Sequence, residues 1–440
     1  MNNPSPLGNT TYWQKNEETM SRMNIESLQR ERLMATLQRA YEHVPFYRMR
    51  CDNAGLKPGI LNVPEDLNRL PFTTSDDLRQ HFPYGLLAIP REDVVRVHTS
   101  SGTTGKPKAV FFSKHDLDQS AVLIARCLVM TGTTKGDILQ NMMTYGLFTG
   151  GLVMHYGAEK VGALVVPAGP GNSDRQIALM RDFETTVFHM TPSYALYLAS
   201  ILQERGINPR QDLHLKRAYL GAEPYSEETR IKIEQIYGID VYNSYGLTEM
   251  NGPGVAFECQ YKNGMHLWED HFFMEIINPD TGEILEEGQE GELVLTSLTR
   301  EAMPLIRYRT RDITKIIRGI CECGRTHRRI SRILGRSDDM FVVKGVNIFP
   351  QQIEQVLMGI KGVAQNYQIV LDSYDHLTVN VEISISLFDG NIERLVHLQT
   401  EIADKVRAAI LVKPKVELHE PGSLPVSEGK AKRVIDNRTL

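Results

Sequence analysis

Between Leu117 and Gly246 the chain alternates helical and extended patterns, and this alternation restricts the fold more than any other feature of the sequence. A helical pattern near 119–130 is followed by the apolar run 163–167, a second helical pattern near 175–183 and a strand-like 187–191. Strands separated by helix-length segments cannot close as tight hairpins, so the pattern predicts a largely parallel sheet with covering helices. Upstream, Leu28, Leu33, Leu37, Tyr41 and Val44 recur every three to five residues among Glu, Arg and Gln, which predicts an amphipathic helix over 25–44 packed on the main body. The Pro-, Asp- and Gly-containing stretch 45–90 predicts short helices and turns leading into a strand at 94–98.

Downstream the pattern changes. Residues 271–297 are rich in Ile, Val, Phe and Leu around a turn at Asn278-Pro279-Asp280-Thr281-Gly282, which predicts a β-hairpin opening an antiparallel subdomain. Past the polar stretch 335–339, a helix at 351–358, strands at 366–371 and 377–386 and a helix at 392–410 predict a compact α+β unit. With 440 residues, about three times a typical domain length, the expected fold is α/β. It comprises a large N-terminal domain, 1–337, with mixed sheets and covering helices, and a small α+β C-terminal domain, 338–440.

Composition excludes several function classes. Hydrophobic residues make up 41% and charged residues 23%, too apolar for a disordered chain, so a folded enzyme or binding protein is expected. The 49 basic and 54 acidic residues leave a net charge of −5, which provides no field to hold a polyanion; small molecules rather than nucleic acid are the expected partners. No run approaches the ~18–20 consecutive apolar residues of a membrane span, and residues 1–14 are polar without a signal-like apolar region. A cytoplasmic protein without membrane attachment is expected, with homodimer formation left open. Cys51, Cys127, Cys259, Cys321 and Cys323 are an odd number in a large chain, which favours reduced thiols or a metal site over a disulfide framework.

The sharpest chemical signal is Thr99-Ser100-Ser101-Gly102-Thr103-Thr104-Gly105-Lys106-Pro107-Lys108, directly after a predicted strand. Glycines let backbone N–H groups approach phosphate oxygens, hydroxyls donate further hydrogen bonds, and lysine offsets charge. The spacing is not that of the common nucleotide P-loop, because Ser100 stands at its first glycine and Pro107 at its magnesium-binding Ser or Thr. On these residues alone, phosphate binding and a flexible surface turn both stay open.

The loop resembles the phosphate-binding motif of the adenylate-forming superfamily, which includes acyl-CoA synthetases, luciferases and peptide-synthetase adenylation domains. Tyr245-Gly246-Leu247-Thr248-Glu249 resembles that family's second signature, and Tyr308-Arg309-Thr310-Arg311-Asp312 its ribose-binding segment. Gly335-Arg336-Ser337-Asp338-Asp339 resembles its hinge, and Pro425-Val426-Ser427-Glu428-Gly429-Lys430 its terminal lysine motif. All five occur in the family's order. Tyr12-Trp13-Gln14, His98 before the loop, and Val343-Lys344-Gly345-Val346-Asn347-Ile348-Phe349-Pro350 are most similar to phenylacetate-coenzyme A ligases.

The resemblance implies an ATP-dependent enzyme that converts a small carboxylic acid to its acyl-adenylate and passes the acyl group to coenzyme A. Transfer to a carrier protein's phosphopantetheine thiol is the alternative. A non-catalytic nucleotide-binding regulator is the reading from another class, and the joint presence of Lys106, Glu249, Asp312 and Lys430 speaks against it. A carboxylate and the α-phosphate of ATP repel, so cationic charge has to face the transition state. Glu249 is a candidate ligand for magnesium, a hard cation that prefers oxygen donors, and Thr248 a candidate partner of the α-phosphate. Asp312 can accept hydrogen bonds from both ribose hydroxyls, or else pair with Arg309 or Arg311. The resemblance further implies that Gly221-Ala222-Glu223-Pro224 and Tyr242-Asn243-Ser244 border the adenine, with Tyr242 or Tyr245 stacking on it. Arg336 is assigned to the nucleotide, Asp338 to the pivot of a mobile small domain, and Lys430 to the bridge between the acid and the α-phosphate.

For the acid itself, Tyr145, Phe148 and Gly150 offer aromatic and small residues suited to a planar apolar group, an arylacetic acid best. Ordinary helix packing explains them equally well. Cys321 and Cys323 are too close for the common Cys-x-x-Cys knuckle, but Cys259 and His266 would complete a tetrahedral zinc site, with His327 as rival fourth ligand and free thiols as the other reading. The lysine assignment is directly testable. Lys430→Ala is expected to abolish adenylate formation while sparing thioester formation from added acyl-adenylate; equal loss of both half-reactions contradicts it.

Overall fold

The computed structural model describes residues 11–99, 107–373, 376–384, 387, 392–425 and 433–438. The chain folds as two compact units, one of Met1–Gly169 with Tyr242–Arg332, the other of Pro170–Val241 with Ile333–Leu440.

In the first unit the helix Lys114–Met130 begins at a capping box, in which Ser113 and Asp116 satisfy each other's backbone N–H groups. It packs on the helix Thr149–Val161 at Gly157, where a Cβ would overlap the Ile124 side chain. The expected apolar run at 163–167 contains strand Leu164–Val166, which pairs in parallel with Ile138–Asn141, a strand that the sequence pattern does not reveal. The long strand Asp240–Leu247 starts an antiparallel run through Gly252–Glu258, Met265–Leu267, Arg329–Ile330 and Ile316–Ile317. A second antiparallel sheet joins Phe272–Ile277, Gly291–Ser297 and Tyr308–Thr314. The turn at Asn278 to Gly282 forms as expected, yet the returning strand begins only at Gly291, because a second turn intervenes after a single bridge, Ile277 to Ile284. The strands on either side of the phosphate-loop motif pair with each other: Arg96–Thr99 runs antiparallel to Ala109–Phe112, and Thr99 stands opposite Ala109.

The predicted amphipathic helix spans Arg22–His43 and buries Ile25, Leu33, Leu37 and Ala40. Its polar partners are specific. Gln29 Nε2 donates to the Glu269 carbonyl at 2.9 Å, and Arg22 Nη1 forms an ion pair with Glu269 at 2.8 Å.

In the second unit Val187–Met190 and Arg217–Gly221 pair in parallel, with helices Ser173–Asp182, Pro192–Glu204 and Glu227–Tyr237 before, between and after them. A four-stranded sheet runs in the order Lys415–His419, Leu377–Ile383, Val363–Leu371, Val434–Asp436, covered by helices Pro350–Met358 and Ile392–Ile410. Val343, Ile348, Ile353, Leu357, Ile369, Val379, Val381, Ile402 and Val406 are fully buried in its core. The last strand was hidden in the sequence by its three-residue length and basic surroundings. Lys430 itself lies outside the described residues, but the chain on either side of it is held at one point: Asn366 donates to the Leu424 carbonyl at 3.1 Å and accepts from Arg433 at 2.7 Å. Among the described residues no helix is long and apolar enough to cross a membrane.

The contact at Gly157 sets two effects against each other. Alanine gains about 1 kcal/mol over glycine in a helix interior, whereas overpacking a tight contact costs about 1–3 kcal/mol. Gly157→Ala is expected to destabilise the protein in chemical denaturation; a gain in stability would mean the two helices are not in close contact there.

Candidate active site

The second signature motif occupies the end of strand Asp240–Leu247 and the 3-10 turn Thr248–Met250 that follows it. The bend is forced. Asn251 and Gly252 both take positive φ, 77° and 87°, and a Cβ on Gly246 would overlap the Gly252 carbonyl oxygen. Arg300, itself buried, fixes the bend from below: its guanidinium bonds the Asn251 side chain, donates to the Phe111 carbonyl at 2.6 Å and stacks 4.2 Å over the Phe112 ring.

This bend carries Glu249 into the interior, 4% exposed. A buried carboxylate is costly without a partner of opposite charge. Lys108, at the base of the phosphate-loop hairpin, forms an ion pair with Glu249 Oε1, and the Tyr308 hydroxyl donates to the same oxygen at 2.8 Å. Burial alone would push the Glu249 carboxyl up, but the Lys108 charge and these hydrogen bonds outweigh it and leave it below its ordinary value. Three sequence motifs, separated by 141 and 59 positions, therefore meet at one oxygen. Lys108 and Tyr308 had been visible only as members of their motifs; the two lysines of the loop were the available signal. The cation facing Glu249 Oε1 in this arrangement is the Lys108 ammonium, and a magnesium ion held by Glu249 would compete with it for that oxygen. Thr248 Oγ1 lies 3.3 Å from Thr149 Oγ1, at the start of helix Thr149–Val161.

Asp312 sits on strand Tyr308–Thr314, and the Tyr245 hydroxyl donates to its Oδ2 at 2.7 Å. Tyr245 thus orients the carboxylate assigned to the ribose. The neighbouring arginines are engaged elsewhere: Arg309 forms an ion pair with Glu292 at 2.6 Å, and Arg311 reaches the same residue at 3.6 Å. On the strand itself Tyr242, Asn243 and Ser244 are buried, and the Asn243 N–H donates to Glu258 at 2.8 Å. Lys262 Nζ lies 5.0 Å over the Tyr242 ring.

Tyr145 and Phe148 precede the helix that contains Gly150. The Tyr145 hydroxyl accepts from Asn141 at 2.9 Å and contacts His155 Nδ1 at 3.1 Å, and burial pushes it up to about 12. Phe148 is 41% exposed. His98 is wholly buried on the hairpin and bonds the Leu147 carbonyl at 3.1 Å, while the Thr99 N–H donates to the same carbonyl at 2.8 Å. Burial lowers His98 to about 4, so it is neutral at physiological pH.

In the second unit, Gly221 ends strand Arg217–Gly221 and Ala222 takes a φ of 69°, a strained value for a residue with a side chain. The Glu223 carboxylate accepts the Ser193 N–H at 2.7 Å, capping helix Pro192–Glu204 and holding the strand-end turn. Arg336 pairs with Asp338 through two hydrogen bonds of 2.8 and 2.9 Å, so the assigned pivot and its neighbour brace each other. Ser100, Ser101, Gly102, Thr103, Thr104, Gly105 and Lys106, like Lys430, lie outside the described residues.

Cys259, His266, Cys321 and Cys323 present four ligand atoms within 4.8 Å of one another, all on buried residues. The Cys259–Cys321 Sγ separation is 3.6 Å, and Cys323 Sγ lies 3.2 Å from His266 Nε2. A tetrahedral ion with bonds of about 2.3 Å to sulfur requires ligand separations of about 3.8 Å, so the cluster suits zinc. His266 Nδ1 bonds the His327 carbonyl at 3.2 Å, which turns Nε2 toward the thiols. His327, the rival ligand, is committed elsewhere: its Nδ1 accepts the Glu269 N–H and its Nε2 bonds the Glu17 carbonyl, both at 3.0 Å. None of the five cysteines is in a disulfide.

Comparison with known proteins places these features in context. The AMP-binding enzyme profile matches residues 58–299, and the AMP-binding enzyme C-terminal domain profile matches 345–438. The chain is 46% identical to phenylacetate-coenzyme A ligase of Thermus thermophilus over 97% of this chain and 99% of that one. It is 41% identical to phenylacetate-coenzyme A ligase of Escherichia coli, covering 96% and 97%. Among solved structures, 2-hydroxyisobutyryl-CoA ligase in its postadenylation state with 2-HIB-AMP superposes with a TM-score of 0.93 at 32% identity, covering 99% of this chain and 94% of that one. The same ligase with 2-HIB-AMP and CoA in its thioesterification state gives 0.73 with the same coverage.

The Lys108–Glu249 pair yields a double-mutant prediction. Lys108→Met strands a buried carboxylate and is expected to cost about 3–5 kcal/mol in chemical denaturation, and adding Glu249→Gln is expected to restore more than half of it. Additive losses would contradict the pairing.

Proposed function

The chain belongs to the AMP-binding enzyme family, and from that premise we propose how its residues carry out an AMP-forming acid–thiol ligation. The enzyme is an ATP-dependent ligase that joins a phenylacetate-like carboxylic acid to coenzyme A. Near-full-length kinship with phenylacetate-coenzyme A ligases carries this conclusion. In the first half-reaction a carboxylate oxygen of the acid bonds the α-phosphorus of ATP as the bond to pyrophosphate breaks. In the second, the coenzyme A thiolate bonds the acyl carbon and AMP departs with that oxygen.

The site residues follow from this chemistry. The loop Ser100 to Lys106 cradles the phosphates, with Lys108 adding charge from the hairpin base. Glu249 holds magnesium, which supplies charge neutralisation at the phosphates, and Thr248 bonds the α-phosphate. Asp312, oriented by Tyr245, accepts both ribose hydroxyls. Gly221 to Pro224 and Tyr242 to Ser244 border the adenine, and Arg336 contributes to the nucleotide site. Tyr145, Phe148 and Gly150 form the floor for an aryl group. Lys430 bridges the acid and the α-phosphate.

The small domain, 338–440, turns about Asp338 between half-reactions. The existence of distinct postadenylation and thioesterification states in the solved relative supports this reading. A complex of that relative with coenzyme A favours the free thiol over a carrier protein. Cys259, His266, Cys321 and Cys323 hold a structural zinc ion, supported by their mutual distances and by the orientation of His266. Five cysteines outside any disulfide fit a cytoplasmic location.

Acid-dependent exchange of labelled pyrophosphate into ATP tests the activity. Arylacetic acids are expected to support exchange roughly tenfold or more faster than short aliphatic acids at equal concentration. Absence of exchange with every carboxylic acid contradicts the assignment.

A further inference from the structure

The metal-ligand cluster adjoins the seam that holds the start of the chain. Residues 318–328 connect strands Ile316–Ile317 and Arg329–Ile330 without secondary structure of their own. Gly324 takes a φ of 77°, and the Gly324 N–H donates to the Cys321 carbonyl at 2.9 Å. The connection is tied to the body by several groups: Cys321 and Cys323 face Cys259 and His266, the Leu267 N–H donates to the Arg328 carbonyl at 3.0 Å, and the Arg328 N–H donates to Glu269 at 2.7 Å. Immediately after the second cysteine, every side chain from Arg325 to His327 reaches the N-terminal segment.

Those contacts are dense and buried. Arg325 and Glu18 are both fully buried and pair at 2.7 Å. The same Glu18 carboxylate accepts the Trp13 and Gln14 N–H groups at 2.8 and 2.7 Å. Arg325 also donates to the Thr11 carbonyl at 2.6 Å and stacks 4.7 Å over the Tyr12 ring. Thr326 donates to the Met20 carbonyl at 2.6 Å, and His327 bonds that of Glu17. The Tyr12 hydroxyl closes the circuit by donating to the Cys323 carbonyl at 3.0 Å. A buried ion pair of this kind contributes only when its geometry is fixed in advance, since desolvation offsets the charge attraction. The bonds from the connection's backbone to the body lie at its ends, Gly319 and His327–Arg328, so among the described residues the Cys321–Gly324 turn ahead of Arg325 depends on its two cysteines for attachment.

We infer that zinc bound by Cys259, His266, Cys321 and Cys323 sets the 321–327 turn as a metal-dependent clamp that docks residues 11–22 onto the first unit. This inference rests on the zinc reading given above. It makes metal occupancy a control on the N-terminal segment, separate from the nucleotide-binding residues.

Hydrogen exchange of the full-length protein, with zinc measured by elemental analysis of the same sample, tests it. The protein is expected to carry about one zinc per chain. Removing the ion with a chelator is expected to speed exchange of the Trp13, Gln14 and Glu18 amides roughly tenfold or more, reversibly on adding zinc. Helix Ile392–Ile410 is expected to stay unchanged. A second arm leaves the ligands intact: Arg325→Gln is expected to keep the zinc and release the same amides. Unchanged protection of residues 13–18 in either arm overturns the clamp while leaving the zinc site standing. Equal loss of protection in strands Phe272–Ile277 and Gly291–Ser297 also overturns it, because the metal would then support the whole unit. Protein without zinc overturns the site and the clamp together.

Discussion

Glu249 is a carboxylate held almost wholly out of water, and much of the first unit is arranged to make that tolerable. The positive-φ bend at Asn251 and Gly252 drives the side chain inward, and Arg300 holds the bend against the hairpin strand Ala109–Phe112. Lys108 and Tyr308 then approach from two other parts of the chain and converge on one carboxylate oxygen. A charge pair in a low-dielectric interior is strong only if both members are held in position. The same requirement governs the reaction, which brings a carboxylate against a triphosphate. A preorganised set of charges that needs no rearrangement when the anions meet is the main contribution a protein can make to such a step.

The assigned nucleotide residues show a repeated device, in which a functional carboxylate or strand end is fixed by a neighbour with another role. Tyr245 holds Asp312, and Glu223 secures the turn after Gly221 by capping a helix. Asp338 is braced by Arg336. The cysteine cluster applies a similar logic to stability, since its ligands come from strand Met265–Leu267, from the residue after strand Gly252–Glu258 and from one irregular connection that reaches the N-terminal segment. Catalytic and structural ions would then occupy separate places, with oxygen donors at one and sulfur and nitrogen donors at the other.

Much of the fold was legible because periodicity reports burial directly. The helices at 114–130 and 392–410 and the parallel strands at 187–190 and 217–221 follow from their apolar spacing. The strand Val434–Asp436 did not, since a three-residue partner in a sheet needs no apolar pattern of its own. The hairpin after Phe272 was placed by its strongest turn signal, which could not reveal the second turn before Gly291. Motifs gave the identities of site residues but not their pairings. Nothing local couples Lys108 to Glu249, or the hydroxyl of Tyr245, one of two tyrosines expected to stack on the base, to Asp312. The choice between His266 and His327 rested on hydrogen bonds to distant carbonyls, which spacing does not encode.

The central claim is that the acid's own oxygen becomes bonded to the α-phosphorus before the thiol attacks. Turnover of an arylacetic acid carrying heavy oxygen in its carboxylate, followed by mass analysis of the products, tests this most directly. The account predicts one labelled oxygen in AMP and none in pyrophosphate. Label in inorganic phosphate, with ADP as the nucleotide product, would indicate attack at the γ-phosphorus and contradict it.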